Sequence, residues 1–221
     1  MPYPRLTRCM PDARRHNPFH ALHKTLRYGH CRMLQALGVH DFQQEQRNTA
    51  LIHGLLALVE ASRIHAEAES ALLHPALEER RPGAAARAAE AASGHAAAVG
   101  EIQSLVRAVR IANPARRNIA GQALYRCYAL FAAADLARMD ASETSLLSAL
   151  HADFADPELE ALEIRLLRAM PEDGLRTLMT LARDALTESE CGKFRDSLGC
   201  AFGPGTLAGI EAGGGTGFAA A

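Results

Sequence analysis

The chain has 221 residues, a formal net charge of −1, 48% hydrophobic residues and no tryptophan. A near-neutral chain has no bulk electrostatic drive toward nucleic acid or an anionic membrane, and it contains no run of about 18 apolar residues to span a bilayer. Its abundant Ala, Leu, Arg and Glu favour helices over sheets, because these residues lose little on entering a helix. Cys9, Cys31, Cys127, Cys191 and Cys200 form no Cys-x-x-Cys pair. That pattern fits reduced, mostly buried thiols in a cytoplasmic protein, not a disulfide framework or a zinc ribbon. The basic N-terminus lacks an apolar core segment, so no signal peptide is expected.

Residues 1–16, with Pro2, Pro4 and Pro11 among arginines, predict a flexible arm. Asn17-Pro18 predicts a helix start, with Asn as cap and Pro in the first turn, and Gly38 predicts its end. His16, His20, His23, Arg27 and His30 fall near one stripe of that helix. Asp41 can cap a second helix to about Arg81, in which Leu55, Leu58, Ser62, His65, Glu69, Leu73 and Leu77 form the inward band. His74-Pro75 predicts a kink or a break. After the Arg80–Gly83 turn, a third helix is expected over 84–112, carrying His95. Asn113-Pro114 starts a fourth, to about 152. Asp156-Pro157 starts a fifth, to about Met170, and Pro171-Glu172-Asp173 a sixth, to about Glu188. The expected domain is therefore 17–190, followed by a Gly-rich flexible tail over 191–221.

His65 and Glu69 are one turn apart, so they project from one helix face with Cβ atoms about 5–6 Å apart. An imidazole and a carboxylate placed that way can grip a metal ion. Their position on the inward band strengthens the case, because buried polar groups need partners. No Glu-x-x-His of the ferritin-like di-iron oxidases occurs. His-Glu-x-x-His, a phosphate-binding Gly-x-x-x-x-Gly-Lys and a Gly-x-Ser-x-Gly nucleophile elbow are also missing.

Asn17-Pro18-Phe19 with His23-Lys24-Thr25-Leu26-Arg27, then His65-x-x-x-Glu69 with His74-Pro75-Ala76-Leu77-Glu78, then His95, then Arg138-Met139-Asp140-Ala141-Ser142-Glu143, resemble the hemerythrin-like (HHE cation-binding) family, a bacterial branch most of all. The resemblance spans about residues 17–188. It implies an all-α, up-down four-helix bundle, here with two additional C-terminal helices, holding a non-haem di-iron centre. It also implies that His23 is the first-helix ligand, with His20 one turn away as the alternative. His65 and Glu69 would be the second-helix pair, with Glu69 bridging, and His95 the third-helix ligand.

The fourth helix departs from the family pattern. One frame places Arg138 and Ser142 where the family has a histidine and a carboxylate; the other places Met139 and Glu143. An arginine cannot ligate and brings positive charge toward a cation. Three arrangements follow. A single ion could be held by His23, His65, Glu69 and His95, with Glu143 as a further donor. Arg138 could pair with Glu69 in place of a metal. A shifted register on the fourth helix could restore two irons.

The functional expectation is accordingly an iron-binding sensor or carrier of O2, NO or redox state. The alternative is a metal-free helical interaction module that kept the fold and lost the di-iron site. Nothing designates a substrate pocket, so an enzyme is the least supported class. No nucleic-acid or membrane partner is expected. A homodimer built by the fifth and sixth helices is compatible with the sequence, which names no protein partner.

Overall fold

The structure, a computed structural model, describes residues 14–86, 89 and 94–212. Those residues form helices and no strand. The helices are α1 (His20–Val39), α2 (Glu45–Arg80), α3 (His95–Ile111) and α4 (Pro114–Ala141). A π-helical turn (Ser142–Leu146) joins α4 directly to α5 (Leu147–Asp153). Then come α6 (Asp156–Ala169), α7 (Glu172–Ala185), α8 (Glu188–Phe202) and α9 (Pro204–Ala212). None of them is long and apolar enough to cross a membrane.

Local signals explain most of the helix ends. Asn113 caps α4 by accepting from the Arg116 N–H at 3.0 Å, with Pro114 in the first turn. Asn17 likewise accepts from the Phe19 N–H at 2.9 Å, although regular helix begins only at His20. α2 runs unbroken through Pro75, where a kink or break is predicted. Pro75 has no N–H for the Ala71 carbonyl, and Ala71 is exposed, so water can take that acceptor. The regular helix α3 begins at His95, directly after Gly94 with φ 86°, while Ala86 and Ala89 are helical as well. Much of the predicted stretch ahead of Gly94 lies outside the described residues.

The termini depart further from expectation. Residues 191–212 are helical and packed, against the predicted flexible tail. Thr187 and Glu190 make a reciprocal capping box at the start of α8. Phe194, Leu198 and Ala201 are buried at helical spacing, and Ile210 of α9 joins them in the same core. The final part of that tail, 213–221, and most of the N-terminal arm, 1–13, lie outside the described residues. The end of the arm is docked: Arg15 holds Asp156 at 2.8 Å and the Phe154 carbonyl at 2.7 Å. Cys31 and Cys200 are exposed, and Cys127 and Cys191 only partly covered, so these four are not the buried set expected, and Cys9 lies outside the described residues.

α1 packs on α2, α2 on α3, α3 along the length of α4, and α4 back on α1. α7 lies over α1 and α2, where Gly29 permits a close approach; a Cβ there would stand 2.9 Å from side chains of both Leu58 and Leu181. α6 packs on α2 and α8.

The apolar interior falls into two cores. The larger includes Leu26, Leu55, Leu58, Ile102, Tyr128 and Leu178. The smaller joins Phe19, Leu73 and Leu77 to Leu147 and Leu150 of α5 and Leu162 of α6. Each fully buried leucine contributes about 1.5–3 kcal/mol relative to exposure. On α2 the larger core ends near Ala61 and the smaller begins at Ala68. Between them α2 points Ser62, His65 and Glu69 inward, so a buried polar layer separates the two cores.

Candidate metal centre

Three residues on α1 and α2 converge at this layer. His23, His65 and Glu69 are all buried, and one donor atom from each lies within 4.8 Å of the others. The i,i+4 spacing on α2 aims His65 and Glu69 the same way, and α1 carries His23 against them. His23 Nε2 is 2.8 Å from Glu69 Oε1, and His65 Nε2 is 3.4 Å from the same oxygen. Donors around an ion with bonds of about 2.1 Å stand roughly 3–3.5 Å apart, so the His65 separation suits a shared ion, whereas the 2.8 Å His23 contact is a hydrogen bond that an ion would replace. Phe19 stacks on the His23 ring at 5.1 Å, and the His23 and His65 rings meet edge-on at 5.0 Å.

The three groups differ in how they are satisfied. His23 is held from its outer side as well: Nδ1 is 2.8 Å from Glu143 Oε1, and Arg27 donates to that same oxygen at 2.7 Å. Burial opposes protonation of His23, but Glu69 and Glu143 outweigh it and raise its pKa above the ordinary histidine value. His65 is the opposite case. It has no exposed surface, and neither ring nitrogen has a hydrogen-bond partner among the described residues. Burial lowers its pKa, so the ring is held neutral and ready to offer a lone pair.

The second oxygen of Glu69 is taken. Arg138 Nη1 donates to Oε2, and Arg138 Nε donates to Asp135 Oδ1 at 2.7 Å. Asp135 Oδ2 faces His30 Nε2 at 2.9 Å and accepts from the Ser62 hydroxyl. His30 Nδ1 in turn faces the Tyr128 hydroxyl at 2.9 Å. A buried polar chain thus runs from Tyr128 through His30, Asp135, Arg138, Glu69 and His23 to Glu143. Burial would raise the carboxyl pKa values of Glu69 and Asp135. The Arg138 charge, together with the histidines around each, instead holds both below the ordinary range. Burial opposes the Arg138 charge, and the two carboxylates more than restore it.

His23, His65 and Glu69 therefore come together as a set. Glu143 joins from outside, on the far nitrogen of His23, because the π-helical turn at Ser142–Leu146 rotates it inward. His95 stands apart: its Nδ1 is 3.8 Å from Asp135 Oδ1, and its ring packs on Phe131 at 5.0 Å. Gly94 starts α3 just before His95 and so leaves it at the end of the helix, beside Asp135. His20, the alternative on α1, is half-exposed and pairs with Glu190 at 2.7 Å on the outside. Arg138 and Ser142 are both buried.

Sequence reasoning missed Asp135, although a carboxylate three residues before Arg138 in an alanine-rich stretch is a local signal. It also gave no role to Ser62 or Tyr128. No family model matches the chain, and no curated protein or solved structure shows significant similarity to it.

Proposed function

We propose that this protein binds a single metal ion, non-haem iron by analogy with the hemerythrin-like pattern, and serves as a sensor or carrier of O2, NO or redox state. The observation that carries this reading is His65, fully buried with two unpartnered ring nitrogens beside His23 and Glu69. A buried polar group left without a partner costs about 1–3 kcal/mol, and a bound ion would supply the missing one. Two histidines and one carboxylate with further positions open form a donor set typical of non-haem Fe(II). The bond from His23 Nδ1 to Glu143 is the carboxylate support that metal-binding histidines ordinarily have. The cyclic packing of α1 to α4 supports a hemerythrin-like up-down four-helix bundle, with the later helices as additions. One ion is proposed, not two, because Arg138 occupies the space between Glu69 and Asp135.

The test is elemental analysis after expression with iron supplied. About one metal per chain is expected in the wild type, with loss in His65→Leu while the helical content holds. The same Arg138 contact favours a second reading, a metal-free interaction module in which the guanidinium replaces the ion. A folded protein without metal, whose melting temperature ignores chelator, selects that second reading.

A further inference from the structure

The outward faces of α4 and α6 differ in kind. α6 shows solvent Glu158, Glu160, Arg165 and Arg168, the charged side of an amphipathic helix. α4 instead exposes Ile119, Ala123, Arg126, Leu130, Ala133 and Ala137, spaced alternately by four and three residues. Arg116 and Asp140, both exposed, continue that spacing at the two ends. Ile119 is 69% and Leu130 75% exposed. The alternation is the a/d repeat of a coiled coil, the seam along which one helix packs on another. The inward side of α4 is filled by α1 and α3, so the seam faces solvent. Single exposed aliphatics are unremarkable, but a contiguous apolar strip marks a contact surface. Its alanines leave the strip shallow, so a second helix can approach to about 8 Å.

The charges at the two ends of the seam identify what covers it. A helix with the same seam, laid antiparallel, brings Arg116 opposite Asp140 at both ends. We propose that α4 docks antiparallel on α4 of a second copy of this chain, about a twofold axis at the level of Tyr128, and so forms a homodimer. In that register Arg116 faces Asp140 of the second copy, Ile119 faces Ala137, Ala123 faces Ala133 and Arg126 faces Leu130, and the symmetry repeats each pair in reverse. Ile119 fills the room that Ala137 leaves. The aliphatic stem of Arg126 covers Leu130 while its guanidinium reaches solvent. The Arg116–Asp140 pairs fix the register, and an exposed carboxylate has acceptor capacity for more than one donor. A parallel pairing would instead set Arg116, Arg126 and Asp140 each against its own copy, which like charges oppose. The dimer forms from these surface residues whether or not the centre holds a metal.

The test is sedimentation equilibrium of the full chain at concentrations up to about 100 μM. A species of twice the 23.7 kDa chain mass is expected. Leu130→Arg sets a second cation against Arg126 and should weaken association by at least about tenfold. Leu130→Glu gives Arg126 an ion-pair partner and should keep the dimer. Arg116→Asp should also weaken association, and adding Asp140→Arg to it should restore the dimer, because the exchange recreates the same pairs. All three positions are exposed, and circular dichroism checks that the helices hold. If the double variant fails to fold, the two Leu130 variants decide. A wild type that stays monomeric overturns the proposal. A dimer weakened equally by Leu130→Arg and Leu130→Glu overturns it too, because Leu130 would then face an apolar partner and not Arg126. A dimer that neither Leu130 variant changes places the contact elsewhere and overturns it. So does a folded double variant that remains as weak as Arg116→Asp alone.

Discussion

The two ends of the buried polar layer are alike in depth and differ in how their carboxylates are satisfied. At the Asp135 end both carboxylate oxygens are used, by Arg138, His30 and Ser62, and His30 is closed off by Tyr128, with only the neighbouring His95 Nε2 making no hydrogen bond among the described residues. At the His65 end one carboxylate oxygen faces two imidazoles, and the His65 ring makes no hydrogen bond among the described residues. A protein interior that satisfies one polar cluster so fully has the means to satisfy another. The contrast supports reading the Asp135 end as structural and the His65 end as awaiting an added partner. Arg138 belongs to both, since its Nε serves Asp135 and its Nη1 serves Glu69.

The largest test of this contrast is Arg138→Ala. It deprives the buried Glu69 and Asp135 of the one cation they share, so unfolding free energy from urea titration should fall by about 3–5 kcal/mol. A loss below about 1 kcal/mol would show that the two carboxylates are neutral and that the layer is not ionic. Ser62→Ala removes a hydrogen bond to a charged acceptor at the closed end and should cost about 1.5–3 kcal/mol without altering metal content. Metal loss in that variant would erase the distinction between the ends.

A pH series probes the rim. Burial opposes ionisation of Glu143, yet hydrogen bonds from His23 and Arg27 hold its carboxyl at about 2, below the ordinary 4.5. A depressed carboxyl stabilises the fold above pH 4.5, and that contribution disappears as pH falls from 4.5 through about 2. Glu143→Gln should therefore flatten the acid limb of a plot of urea midpoint against pH; an unchanged limb would remove Glu143 from the network. The smallest effect is expected from His20→Ala. It breaks only an exposed pair with Glu190, so stability should change by less than about 1 kcal/mol and metal content not at all. Metal loss there would move the α1 ligand from His23 to His20.

What could be read from the sequence follows how local each signal is. His65 and Glu69 were legible because a single helical turn fixes their relation. The pairing of Glu69 with Arg138 was visible as one alternative only through the family pattern, since it depends on how α2 meets α4. That His95 faces Asp135 was not legible, because the neighbouring Gly94, with φ 86°, sets where α3 begins and the fold sets what meets it. The C-terminal helices were missed for a compositional reason. Glycines drew attention away from the Thr187–Glu190 capping box and from Phe194, Leu198 and Ala201, which carry the helical period plainly. The pairing of Asp135 with His30 needed the fold itself, because nothing along the chain links α1 to α4.

The π-helical turn at Ser142–Leu146 has an evolutionary reading. Such a turn holds one residue more than its neighbours, as an in-frame insertion into a regular helix would leave it. One residue changes the angular phase of everything downstream by about 100°. Upstream of the turn, Tyr128 and Phe131 serve the larger core; downstream, Leu147 and Leu150 serve the smaller one. The rod therefore carries two phases, each matched to its own core, with Glu143 turned toward His23 where they meet. Deleting the single codon for Thr144 would restore one phase throughout and swing Leu147 and Leu150 away from Leu73 and Leu77, without changing any residue that touches the centre.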